Sequence, residues 1–152
     1  MSLTLGGRTG VYDPIHQAER EDRTVRVFVG GIDNVATQTI LTNTAFNIPV
    51  NATLYITQFF GDLETYSDEC EYELVRCTGQ NASGTVEEVA AHIHIFSAAA
   101  ALGHTGYSES FVPAITVRYK DGFRSVAVRV DANDAAATVG TGWAGYWEVT
   151  ES

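Results

Sequence analysis

Two histidines two residues apart are the first candidates for chemistry in this chain. His92 and His94 lie in HIHIF, and alternation along a strand puts both imidazoles on one face, with the two Cα atoms about 7 Å apart. Such a pair can chelate a metal ion if another strand supplies a third ligand. His104 and Glu109 lie further on and reach the pair only through a favourable loop. We therefore expect exposed or interface histidines, with no metal and no cofactor.

Cupins, which are metal-binding jelly rolls, place a Glu soon after such a His-x-His pair. Here residues 96–99 are Phe-Ser-Ala-Ala, so that carboxylate is missing. A cupin-like metal-binding protein is therefore the least favoured alternative for this chain.

Six carboxylates crowd into a segment that contains no basic residue: Asp62, Glu64, Asp68, Glu69, Glu71 and Glu73. Carboxylates suit Ca²⁺, but an EF-hand loop requires its own spacing and a central glycine, and neither is present. We predict an acidic, solvated loop followed by an edge strand, with a calcium site as the alternative. Cys70 and Cys77 flank this strand on opposite faces, beyond disulfide reach, and are expected to be free thiols.

Aromatic residues concentrate near the end of the chain in GWAGYWEV. Trp143, Tyr146 and Trp147 are either core residues or part of a subunit or ligand surface, because large aromatic side chains anchor interfaces. No nucleophile elbow, phosphate loop or dinucleotide fingerprint occurs in the sequence, so we do not expect an enzyme.

Length and charge narrow the class of protein. The chain has 152 residues, which suits one domain, and a formal net charge of −10, which disfavours direct nucleic-acid binding. No apolar run approaches the roughly 20 residues of a membrane span, and the N-terminus has no apolar core of a signal peptide. We expect a protein made in a cytoplasm.

Strand signals follow one another from Thr24 onwards, and helical patterning is almost absent. TVRVFVGG puts three valines on one face, whereas TLYITQFF is apolar on both faces, which favours burial on both. Asp121-Gly122 predicts a two-residue hairpin turn that pairs Val117 with Val126. About eight such strands predict an all-β fold, an antiparallel jelly-roll-like β-sandwich, over residues 24–152.

Residues 1–23 lack both the helical and the strand period and are predicted to form an extended N-terminal arm. Their polarity leaves little to bury within the domain, so we expect the arm to become ordered on a partner. The candidate contact residues in it are Leu5, Arg8, Val11, Tyr12, Ile15, Arg20 and Arg23.

Phe111-Val112-Pro113 leads into a valine-rich strand, followed by a tight turn, an Ala/Asp-rich loop and the closing GWAGYWEV. This layout resembles the small decoration (cement) proteins of tailed-phage capsids, from about residue 24 to the end and most closely from Phe111 to Val149. The resemblance implies a β-rich, often trimeric module on the capsid exterior, with arms or loops that bridge capsomers and without catalytic residues.

On this basis we expect a structural virion protein. It would be made in the host cytoplasm and would bind the major capsid protein as a homotrimer. The alternative is a carbohydrate-binding or adhesion module that uses the exposed aromatic residues.

Overall fold

Eight β-strands make up most of the described chain. The computed structural model describes residues 23–33, 38–63, 69–96, 105–132 and 138–151. The strands are β1 (Thr24–Asp33), β2 (Thr39–Asn47), β3 (Ala52–Leu63), β4 (Glu69–Cys77), β5 (Val86–Phe96), β6 (Thr105–Arg118), β7 (Ser125–Ala132) and β8 (Thr138–Val149). Short 3₁₀ turns cover Gln80–Ala82 and Tyr119–Asp121. Within these ranges, no helix has the length and apolar character needed to cross a membrane.

The strands pair in nested order along the sequence, so that the first strand pairs with the last. β1 pairs with β8, β2 with β7, β3 with β6 and β4 with β5, always antiparallel. Lateral pairing of β3 with β8 and of β4 with β7 joins these ribbons into two four-stranded sheets. Sheet A has the order β1-β8-β3-β6 and sheet B the order β2-β7-β4-β5. This arrangement is a jelly roll, so the predicted fold class is confirmed.

The predicted β6–β7 hairpin is wrong, because the two strands lie in different sheets. Val117 of β6 lies opposite Leu54 of β3, whereas Val126 of β7 lies opposite Phe46 and Arg76 of sheet B. The Asp-Gly signal does mark a tight turn. Gly122 takes a positive φ of 98° as it ends the 3₁₀ turn, and the chain then crosses from one sheet to the other.

The core lies between the inner faces of the two sheets. Four valines of β6 and β7 lie there, since Val117, Val126, Val128 and Val130 are all fully buried. Each such side chain contributes about 1.5–3 kcal/mol through burial. Trp143 of β8 is the largest of the fully buried side chains.

A bulge in β2 interrupts its backbone pairing with β7, and a side chain of the same strand forms hydrogen bonds there instead. The pairing of β2 with β7 shifts register between Leu41 and Phe46, and Thr44 lies in this shift. The Thr44 hydroxyl donates to the Leu41 carbonyl at 2.6 Å and accepts from the Val128 N–H at 2.8 Å. The Thr44 carbonyl accepts the indole N–H of Trp143 at 3.0 Å. Thr44 thus satisfies three buried polar groups where the strand ladder is interrupted.

Candidate functional site

The outer face of sheet A carries two stacked pairs of aromatic rings. Phe28 of β1 and Phe60 of β3 have ring centroids 5.5 Å apart and planes inclined by 22°. Tyr55 of β3 and Tyr146 of β8 have centroids 4.9 Å apart and planes inclined by 18°. We call these four residues the aromatic face. Such stacking fixes the orientation of each ring against its neighbour.

Glycines in β8 make room for the rings. A side chain on Gly142 would collide with the Val27 carbonyl and with the Phe60 ring, which leans over this position. A side chain on Gly145 would collide with the Tyr55 carbonyl. The glycine-rich composition of β8 is therefore a requirement of close strand packing beneath the aromatic face.

A groove of about 610 Å³ lies between the two ring pairs. Along β8, Tyr146 is four positions beyond Gly142, the residue flanked by the phenylalanines, so the pairs are about 13 Å apart. Polar side chains line the interval: Thr24, Arg26, Thr57 and Gln58. Among the described lining residues, Arg26 is the only charged one. The groove therefore offers ring faces, hydrogen-bonding groups and one cation.

The outer face of sheet B is charged instead. Glu73 accepts two hydrogen bonds from Arg129, at 2.9 and 3.1 Å. His94 Nε2 lies 3.0 Å from a Glu69 carboxylate oxygen, and His92 Nε2 lies 3.9 Å from Glu71. The two imidazole centroids are 6.2 Å apart on one face, as predicted.

The histidine pair has no third metal ligand within the described part of the chain. No group of three or more His, Cys, Asp or Glu side chains there could hold a metal ion. The histidines of β5 instead lie beside carboxylates of β4 on the solvent-facing side of sheet B.

The acidic segment is only partly described, since Glu64 and Asp68 lie outside the described residues. Its glutamates Glu69, Glu71 and Glu73 belong to β4, which lies between β7 and β5. The prediction of an edge strand is therefore wrong. Alternating carboxylates mark one solvent-facing side of an inner strand, whose other side carries buried residues.

Both cysteines are free thiols, as predicted, and both are buried. Burial raises the pKa of Cys70 to about 11 from an ordinary value of 9.0 and also raises the pKa of Cys77. A high thiol pKa lowers the thiolate population, so neither cysteine has the character of a nucleophile.

The three predicted terminal aromatics lie in different surroundings. Trp143 is 1% exposed and packs edge-on against Phe46 in the core. Trp147 is half-buried on the same side of β8. Tyr146 alone points outward, as part of the aromatic face. Of these candidates, Tyr146 and Trp147 retain accessible surface.

The aromatic face draws three of its four rings from residues that the sequence did not single out. Phe28, Tyr55 and Phe60 are spread over two strands, and TLYITQFF was expected to be buried on both faces. In the structure Tyr55 and Phe60 are only partly buried on the outer face. The available signal was strand alternation, because Phe28 lies on the face opposite Val25 and Val27, which pack into the core.

Six of the arm candidates lie outside the described residues: Leu5, Arg8, Val11, Tyr12, Ile15 and Arg20. Arg23 is described. Its carbonyl accepts the N–H of Trp147 at 3.0 Å, and its guanidinium lies 5.1 Å from the centre of the Trp147 ring. Arg23, the last residue of the predicted arm, therefore lies at the β1 edge of sheet A.

The opposite edge of sheet A carries an apolar tip. The pairing of β6 with β3 shifts register between Ile56 and Gln58, whose partners are Ile115 and Ser110. Residues 111–114 therefore bulge from the edge, and Val112 within them is 97% exposed. Such a bulge also blocks edge-to-edge pairing of β6 with another strand.

Comparison with known proteins gives no family assignment. No family model matches the chain, and no curated protein matches it significantly. Among solved structures, the tobacco streak virus coat protein in its C2 crystal form is 10% identical, with a TM-score of 0.39, over 86% of this chain and 90% of the coat protein. The infectious bursal disease virus Gx strain structure is 9% identical, with a TM-score of 0.41, over 95% of this chain and 36% of the matched chain.

The infectious bursal disease virus VP2 subviral particle is a further match, 9% identical with a TM-score of 0.39, over 95% of this chain. The present chain spans about a third of the length of that VP2 chain, of which 37% is covered. The matched structures are thus a viral coat protein, a virus and a subviral particle. At these identities and TM-scores they carry no inference about the function of this chain.

Proposed function

We propose that this chain is a structural virion protein. It binds the outside of a phage capsid as a cement (decoration) protein and stabilises the contacts between capsomers. It is made in the host cytoplasm, and its partner is the major capsid protein. The support comes from the sequence resemblance and from the distribution of exposed apolar side chains over the two sheets.

The observation that carries the proposal is the concentration of apolar surface on one sheet. Among the described residues, six large apolar side chains are exposed, and five of them belong to strands of sheet A: Phe28, Tyr107, Val112, Tyr146 and Val149. The sixth, Val50, lies in the turn between β2 and β3. Sheet B presents carboxylates and histidines instead. Phe28 and Tyr146 lie on the outer face of this sheet and Val112 lies at its β6 edge, and exposed apolar side chains in these positions favour contact with a partner.

We assign two contact elements to opposite edges of sheet A. The proposed arm would extend from Arg23 at the β1 edge, and the Val112 tip projects from the β6 edge. Three strand spacings separate these edges, about 15 Å. A module with contacts on both edges of one sheet is suited to bridging two neighbouring capsid subunits. Each bound copy then favours the assembled shell by mass action.

We propose that the protein is a homotrimer, as the resemblance implies. The terminal aromatics with accessible surface, Trp147 and Tyr146, are the sequence-based candidates for the subunit contact. Trp147 lies beside Arg23, so the beginning of the arm and this contact would be adjacent.

Binding to assembled shells tests the proposal. Shells assembled from the major capsid protein of the virus that carries this gene are mixed with the purified protein, sedimented, and assayed for bound copies. We expect Val112→Asp to lower the affinity by about tenfold or more, because a buried apolar contact would be replaced by an unpaired charge. Val50→Asp, an equally simple change at an exposed valine outside sheet A, should leave occupancy unchanged. Failure of the unaltered protein to bind the shells would refute the proposed function.

A further inference from the structure

We propose that the groove between the two ring pairs of sheet A binds an oligosaccharide that carries carboxylate groups. This binding goes beyond the capsid contact, and it assigns Phe28 and Tyr146, two of the exposed apolar residues of sheet A, to a glycan. The capsid contacts were assigned to the arm and the Val112 tip, which lie at the two edges of sheet A. The groove crosses the middle of the same sheet.

The ring pairs supply the stacking surfaces. The C–H bonds on one face of a pyranose ring carry weak positive charge and pack against the negative face of an aromatic ring. Phe28 is 65% exposed and Tyr146 is 39% exposed, so both offer ring surface to a ligand. Each is held by its stacking neighbour, which reduces the rotamer entropy lost when a ligand binds. The separation of about 13 Å between the pairs suits a chain of sugars and not a single one.

The polar residues between the rings supply the hydrogen bonds. The Gln58 amide can both donate and accept, as sugar hydroxyls require. The Thr57 hydroxyl donates to the Ala144 carbonyl at 3.3 Å and keeps its lone pairs for a ligand donor. Hydrogen-bonding groups between ring faces favour a polar ligand with apolar faces, which describes a sugar chain.

Charge complementarity selects an acidic sugar chain. The protein has a formal net charge of −10, yet Arg26 is the only charged residue among the described residues that line the groove. Its guanidinium can pair with a carboxylate through two parallel hydrogen bonds. A uronic-acid residue placed between the ring pairs would meet this cation.

A second copy of this chain suits the groove less well. An apolar partner surface would remove the polar side chains of Arg26 and Gln58 from water without offering them hydrogen bonds in return, which is unfavourable. With a glycan in the groove, Tyr146 binds the ligand and is no longer a candidate for the subunit contact. Trp147 then remains as the candidate at the subunit interface.

Titration calorimetry with oligogalacturonate and with a neutral oligosaccharide of equal length tests this inference. We expect oligogalacturonate to bind, and Phe28→Ala and Tyr146→Ala each to weaken it by about tenfold, since each removes a stacking surface. Arg26→Gln should weaken binding of oligogalacturonate and remove its dependence on salt. Tyr107→Ala is the matched control, because Tyr107 is an exposed aromatic residue of sheet A outside the groove lining, and it should bind like the unaltered protein.

The other outcomes overturn the inference. Absence of oligogalacturonate binding, or equal binding by the Tyr146→Ala variant, would remove the groove as a glycan site. Preference for the neutral sugar would refute the role of Arg26. Light scattering of the same variants identifies the competing occupant, since dissociation of an oligomer by Tyr146→Ala would show that a second copy covers this face.

Discussion

At the scale of single residues, Thr44 shows how one side chain can maintain an interrupted strand. Its hydroxyl takes the place of a backbone acceptor for the Val128 N–H, in a region where water does not reach. Thr44→Val keeps the shape of the side chain but leaves that N–H without its acceptor. We expect a loss of about 1–3 kcal/mol in the free energy of unfolding, measured by denaturant titration.

Thr44→Ser is the control for this substitution, because it keeps the hydroxyl and loses only a methyl group. Its free energy of unfolding should lie clearly above that of the valine variant. Equal destabilisation by both substitutions would show that packing, and not the hydrogen bond, is what Thr44 contributes.

The raised pKa of Cys70 leads us to expect that the free energy of unfolding falls at alkaline pH. Because burial raises its pKa from 9.0 to about 11, the unfolded chain loses this proton first as the pH rises. The contribution is fully present below pH 9 and is lost between about pH 9 and 11, to an extent of about 3 kcal/mol. The Cys70→Ala variant should therefore show a shallower fall in its free energy of unfolding over this range.

The comparison must use slopes, because Cys70→Ala also removes buried volume. The fall should not disappear completely, since burial raises the pKa of the neighbouring Tyr72 in the same direction. An unchanged slope in the cysteine variant would show that Cys70 ionises alike in the folded and unfolded chains.

At the scale of strands, the sequence predicted the elements and their buried faces but not all of their partners. Alternation in β6 and β7 agrees with the inside positions of Val117 and Val126. The same alternation results from a hairpin, where both strands share a sheet, and from a crossing, where the inner faces oppose each other. The Asp121-Gly122 turn fits both, because Gly122 has a positive φ in either case. Only the pairing of first with last strands, which is a property of the whole chain, decides between them.

The same limit applies to the aromatic face. Alternation along β1 places Phe28 on the face opposite the inward-pointing valines. Alternation along β8 places Tyr146 on the face opposite Trp143. Alternation does not show that Phe28 and Phe60, 32 positions apart in the chain, flank the same glycine. That contact depends on the order β1-β8-β3 in sheet A. Tyr146 was therefore predictable as a candidate, whereas the groove was not.

At the scale of the whole molecule, the outer faces of the two sheets carry different kinds of side chain. Sheet A presents rings, an apolar tip and Arg23, from which the proposed arm would extend, whereas sheet B presents paired charges and histidines. A decoration protein needs one side for the capsid and another for solvent, and the two sheets supply such a division. The arm would then contribute affinity and reach without contributing to the folded core.

Deletion of residues 1–20 tests this division between arm and body. The deletion keeps Arg23 and its contacts with Trp147, so we expect the melting temperature of the free protein to change little. Occupancy on capsid shells should fall sharply, because an arm that becomes ordered on binding adds contact area over a wide surface. Light scattering should report the same trimer with and without the arm if the subunit contact lies near Trp147. Unfolding of the truncated protein would instead show that the arm packs into the body, and unchanged occupancy would assign capsid binding to the Val112 edge alone.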